Sequence, residues 1–294
     1  NRHLAHAASD IEASLDELQA LCPNLERVAI VVAWFGTDLR AQHCRLKPGV
    51  ELREKTTHPL TWSVAGLDRA TAHLVSTVNG RPAYGGTPSD ASVVHLIAAL
   101  RARGLKVTLY PFVMMDVPPG NALPDPWTGA ASQPPYPWRG RITCDPAPGQ
   151  PGSPDGTAAA EAQIDAFFGT AAPGDFAVAG DAVLYAGPEE WTLRRMVLHY
   201  AHLAAAAGGV DAFVIGSELK ALTRVRSGPG IYPAVAHLVA LARDVKAVLG
   251  SDTIVTYAAD WTEYGAHVVD PNANEVRFPL DPLWASPAVD VVGI

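Results

Sequence analysis

The sequence predicts an α/β protein, a (β/α)8 TIM barrel present in part, and three observations carry that reading. Apolar runs without alternation recur along the chain, helical periodicities separate them, and the two longest irregular stretches each follow the C-terminal end of a strand. An unbroken apolar run suits a parallel strand covered on both faces. Alternation of such strands with helices implies parallel pairing through crossover connections. Loops at strand C-termini lie on the face where barrel sites are assembled.

Taken in order, Ser9-Asp10-Ile11-Glu12 has the form of a capping box, and Ile11, Leu15, Leu18 and Leu21 follow at helical spacing. Residues 27–36 then form the first apolar run. Thr87-Pro88-Ser89-Asp90 opens a second helix that buries Val93, Val94, Ile97 and Leu100 before Gly104 ends it, and the strand at 106–113 comes next. A helix at 190–207 carries Leu193, Val197, Tyr200 and Ala204 on one face and leads into the strand at 211–216. Pro233 opens a helix with Val235, Leu238, Ala242, Val245 and Leu249 inward, before the strand at 253–257. Residues 288–294 supply a further strand. The same alternation would suit a doubly wound sheet, but no Gly-x-Gly-x-x-Gly turn follows the first strand, so the dinucleotide-binding version lacks its signature.

The alternation is interrupted at about 40–86 and 114–188, both rich in Pro, Gly and aromatic residues. Loops of such length are usually functional or disordered, and docking surfaces for a parent protein are the other reading.

At 294 residues, with 48% hydrophobic and 18% charged, the chain can build one large core, and residues 1–294 read as a single domain. A net charge of −8 argues against nucleic-acid binding, which needs clustered Lys and Arg. Cys22, Cys44 and Cys144 stand far apart without metal-ligand spacing, so no metal, cofactor or disulfide framework is expected. No apolar run reaches the roughly 20 residues of a membrane span, and a soluble protein is expected. Asn1 is not a natural start, and residues 289–294 read as a buried strand cut before its loop, which suggests a piece of a larger polypeptide.

Glu218 is the sharpest candidate. It directly follows the apolar strand Phe213-Val214-Ile215-Gly216, so its carboxylate is expected at the barrel mouth, where partial desolvation suits a general acid. The alternative is a Glu that caps the next helix or pairs with Lys220 or Arg224. Asp260, Trp261 and Glu263 occupy the equivalent place after the following strand. Carboxylates interleaved with rings suit sugar binding, since carboxylates accept hydroxyl hydrogen bonds and rings cover pyranose faces; a turn-capping Asp260 is the other reading. Trp34, Asp116, Trp138 and Arg139 are weaker candidates near the same mouth. The helical residues His95, His199, His202 and His237 read as surface or packing residues, and no Gly-x-Ser-x-Gly elbow supports a serine nucleophile.

The combination of Trp34-Phe35-Gly36-Thr37-Asp38-Leu39, Tyr84-Gly85-Gly86-Thr87-Pro88-Ser89-Asp90, the stretch from Pro134 to Asp145 and Ile215-Gly216-Ser217-Glu218-Leu219 resembles the TIM-barrel-like domain of tail-hub proteins of gene transfer agents and related prophages. Those host-specificity or baseplate proteins carry a barrel that looks like retaining glycoside hydrolases, especially those acting on β-mannan-like chains. The resemblance implies that Glu218 is the acid/base after a fourth strand and that residues 27–35 are the second, so strands 2 to 6 lie in this chain and the nucleophile beyond Ile294. It also implies a role in binding or cleaving host envelope polysaccharide, as a component of a phage-like particle among other tail or baseplate proteins. A structural tail-tip module without activity is the alternative. Ser217 stands where many such hydrolases carry an Asn that binds the sugar 2-hydroxyl, and it reaches less far.

Overall fold

The structure, a computed structural model, describes Ala7, residues 9–270 and residues 272–294; Asn1 lies outside them. Helix α1 (Asp10–Leu21) starts where the Ser9 hydroxyl accepts from the Glu12 amide at 3.3 Å. Strand β1 (Arg27–Gly36) follows, and the two-residue strand β2 (Leu46–Lys47) folds back antiparallel on its last residues. Helix α2 (Asp90–Ala102), capped by Ser89, leads into β3 (Lys106–Met115). Helix α3 (Ala158–Phe168) lies inside the second insertion. Then come α4 (Leu193–Ala206), β4 (Ala212–Ser217), α5 (Pro233–Leu249) and β5 (Ile254–Ala258).

The sheet order is β2-β1-β3-β4-β5, with β1, β3, β4 and β5 all parallel and in chain order. β1 and β3 pair over ten residues, from Arg27 opposite Lys106 to Gly36 opposite Met115. Ile30, Val32 and Trp34 of β1, Val107, Leu109 and Val113 of β3, Phe213 of β4, and Val255 and Tyr257 of β5 are buried under the helices. Each fully buried aliphatic side chain of this kind contributes roughly 1.5–3 kcal/mol. Helices α2, α4 and α5 pack side by side on that one face. A doubly wound sheet would carry helices on both faces. The arrangement is therefore the helix-outside arc of a barrel, and among the described residues it is open rather than closed.

Three expectations are corrected here. β1 is buried on both faces only at its C-terminal end, where Phe35 packs under His73 and Tyr84; nearer its start the inner face of the arc is open and Val31 is 53% exposed. Residues 288–294 do not form a strand. They run beside β5 with a single parallel bridge, Ala258 to Gly293, where two backbone bonds, the Asp290 amide to the Val255 carbonyl and the Ala259 amide to the Gly293 carbonyl, each at 2.9 Å, are interrupted by side-chain contacts such as the Val255 amide to Asp290 Oδ2, 2.6 Å. The second insertion is not irregular throughout, since it holds α3 and the hairpin Phe176–Ala179 with Ala182–Tyr185.

One irregularity positions the site. Val214 pairs with Thr256 and Ser217 with Ala258, so Ile215 and Gly216 together oppose the single Tyr257. Such a bulge bends a strand and re-aims the side chains after it.

Candidate functional site

Immediately past the bulge, Glu218 has a φ of +52°, in the left-handed region that a non-glycine residue occupies at a cost. Neighbouring bonds hold it there: the Glu218 amide donates to the Ala258 carbonyl at 2.9 Å and the Leu219 amide to the Tyr257 hydroxyl at 2.7 Å. The carboxylate meets the second insertion. Trp138 Nε1 donates to Glu218 Oε2 at 2.7 Å, and Arg139 Nη2 reaches the same oxygen at 2.6 Å. Arg139 is itself fixed, with Nε donating to the Ser217 carbonyl and hydroxyl at 3.0 and 3.2 Å and its guanidinium 3.8 Å from the Phe112 ring centroid. Glu218 keeps 35% of its side chain exposed, and its Oε1 has no partner among the described residues.

The structure thus brings Glu218, Ser217, Trp138 and Arg139 together, while Ser217 and Arg139 are buried and act by holding Glu218. Lys220 and Arg224 do not pair with it; the ion pair comes from 79 residues away in sequence, Arg139.

Asp260 caps the short helix Trp261–Tyr264, and Glu263 closes a capping box by accepting from the Asp260 amide at 3.2 Å. Glu263 is 2% exposed, and its Oε1 accepts from Tyr257 and Thr223, each at 2.8 Å. Since Tyr257 also receives the Leu219 amide, Glu263 braces the turn that carries Glu218 rather than facing a ligand. Burial pushes the Glu263 carboxyl up to about 7 from its ordinary 4.5, outweighing the hydrogen bonds from Tyr257 and Thr223 that pull the other way. A folded-state value above the unfolded one means the folded protein holds the proton more tightly. That stability is complete below about pH 4.5 and is lost as the pH rises through about 7, a change on the order of 3 kcal/mol. Denaturant unfolding between these pH values is expected to show the decline, and Glu263→Gln to flatten it; an unchanged slope in the variant would rule Glu263 out as its source.

The remaining nominated residues lie elsewhere. Trp34 is fully buried on the helix side, where Nε1 donates to the Tyr200 hydroxyl at 3.1 Å and its ring packs against Trp191 and His199. Asp116 is 4% exposed and pins the first insertion, accepting from the Ser76 amide and hydroxyl at 3.0 and 2.5 Å and pairing with His73 Nε2 at 2.6 Å. Those bonds hold its carboxyl below the usual carboxylate range despite burial, which works against them. Trp261 is 77% exposed. His199, 1% exposed, bonds Asp90 at 2.9 Å across the α2–α4 interface, a buried polar pair that helical periodicity does not announce. Among the described residues no cluster of three or more His, Cys, Asp or Glu side chains could hold a metal ion, and no helix is long and apolar enough to cross a membrane.

The molecule is therefore a mixed α/β protein whose parallel arc presents a carboxylate, gripped by an indole and a guanidinium, at its C-terminal mouth. Residues 191–294, which include β4, Glu218 and β5, match the family profile of the GTA TIM-barrel-like domain. Solved structures similar to the chain are GH113 β-1,4-mannanases. One, at 16% identity, covers 96% of this chain and 54% of its own with a TM-score of 0.43. A complex structure of such an enzyme is 18% identical over 86% of this chain and 50% of its own, TM-score 0.38. The β-mannanase from Alicyclobacillus acidocaldarius bound to ManMIm is 19% identical over 80% and 50%, TM-score 0.35. The chain spans about half the length of these structures. No curated protein matches it.

Proposed function

We propose that the mouth around Glu218 binds cell-envelope polysaccharide for a gene-transfer-agent or phage-tail-like particle, alongside other tail or baseplate proteins, and that Glu218 is the general acid/base where a second carboxylate completes the site. The observation that carries this reading is the display of Glu218: a bulge and a left-handed turn project it past the strand end, two donors fix Oε2, and Oε1 stays free for a sugar hydroxyl or glycosidic oxygen. The Trp138 ring, 39% exposed beside it, offers a face for a pyranose. The family match over residues 191–294 supports the particle assignment.

Retaining hydrolysis needs two carboxyl groups about 5–5.5 Å apart. Asp260 and Glu263, the nearest in sequence at the following strand end, are committed to a helix cap and to Tyr257. This favours, as the second reading, a tail-tip module that grips glycan without turnover.

Binding of β-linked oligosaccharides and of isolated host envelope glycans, measured by calorimetry, tests the proposal. Trp138→Ala is expected to weaken binding about three- to tenfold, the worth of one stacked ring. Failure of the unaltered protein to bind any of these glycans would sink it.

A further inference from the structure

We propose that the cavity beside Trp138 is a subsite for an anionic sugar, one bearing a carboxylate or a phosphate; this rests on the glycan-binding reading of the Glu218 mouth. The cavity holds about 520 Å³, within the usual size of a small-ligand pocket. Two indoles, Trp127 and Trp138, form part of its wall, and the polar part consists of Arg141, Lys220, Arg224 and His267. Among the described residues no carboxylate lines it, although the chain as a whole carries a net charge of −8.

The chemistry of that lining discriminates between ligands. Neutral sugar hydroxyls both donate and accept, and a site for them supplies acceptors as well as donors. Lys and Arg side chains only donate, so three of them without a carboxylate match a group that only accepts. Carboxylate and phosphate are such groups, and Arg binds both through two parallel N–H donors.

These cations are also unspent. Neither Arg141 nor Lys220 has a side-chain hydrogen bond or ion pair among the described residues, the one contact being Arg141 over the Trp127 ring at 5.9 Å. Arg224 donates from Nη2 to the Thr262 carbonyl at 2.8 Å, but its buried Nε has no partner. Glu263 and Asp260, the carboxylates that act on Arg224, are taken up in their own hydrogen bonds. Burial first, and then Arg224 and Arg226, press His267 below its ordinary value, which leaves it a neutral partner near pH 7. Arg226 is not available, since it is paired with Asp155 at 2.6 Å. Positive charge without a paired carboxylate, beside two rings, suits an anion carried on a sugar.

Calorimetric titration with two probes of the same β-1,4-manno backbone isolates the charge: mannuronate hexamer, with a carboxylate on every ring, and mannohexaose, with none. The mannuronate is expected to bind at least about tenfold more tightly at low salt, to weaken as salt is raised, and to lose about tenfold in Lys220→Ala, with recovery in Lys220→Arg. Lys220 has no structural partner, so the variant keeps its fold. Competition by mannose 6-phosphate in place of mannuronate would assign the phosphate source. Mannohexaose binding as tightly as mannuronate, with Lys220→Ala silent, would overturn the anionic subsite and leave the glycan-binding reading standing. No binding of either hexamer, of mannose 6-phosphate or of isolated envelope glycan would overturn both.

Discussion

In a complete domain where a second carboxylate joins the site, Glu218→Gln is expected to lower glycosidic turnover by roughly 10²–10⁴-fold, the loss that follows removal of general acid/base help, while glycan affinity changes by less than about threefold. The amide keeps the shape and can still accept from Trp138 Nε1, so the ring and the turn stay in place. What it cannot do is take and return a proton. Rates on β-linked oligosaccharides and on isolated envelope glycans, compared between that complete domain and its Glu218→Gln variant, check this. Equal turnover would remove Glu218 from the chemistry, and binding without turnover in both would leave a recognition surface.

Trp34→Ala is expected to cost about 3–5 kcal/mol of stability. The indole is fully buried between β1 and α4, with Tyr200 and His199 rings 6.1 and 5.7 Å away. Its removal opens a cavity and strips Tyr200 of its donor at Nε1, and an unsatisfied buried group adds about 1–3 kcal/mol. Trp34→Phe, which keeps a ring but loses the bond, is expected to cost about 1–2 kcal/mol. Urea midpoints of these variants, set beside Trp138→Ala, separate the two indoles: Trp34 governs stability and leaves glycan affinity alone, and Trp138 does the reverse. A Trp34→Ala protein within about 1 kcal/mol of the original would contradict its place in the core.

The sequence by itself determined the alternation of strands and helices, their order, and the position of Glu218 at a strand end. These are local properties, written in runs of apolar residues and in helical spacing. Helix starts were equally legible, because Ser9 and Ser89 accept bonds from amides only three residues on. Only the tertiary structure decided which way side chains face and what they meet. An apolar run without alternation does not say which residues turn inward, so Trp34 read as a mouth residue although it points to α4. The bulge at Ile215 and Gly216 exists only against Tyr257 of the neighbouring strand, and it is what turns Ser217 and Glu218 to the mouth. The partners of Glu218 come from Trp138 and Arg139, those of Asp116 from His73 and Ser76, and each pair is closed by a loop whose path no short-range pattern records. Asp260 and Glu263 show the same limit from the other side. Their spacing suits a sugar site and a capping box alike, and the short helix that follows, packed so that Glu263 reaches Tyr257, made them structural. Periodicity fixes what each segment can become, and the burial of one face against another segment fixes what its polar groups are left to do.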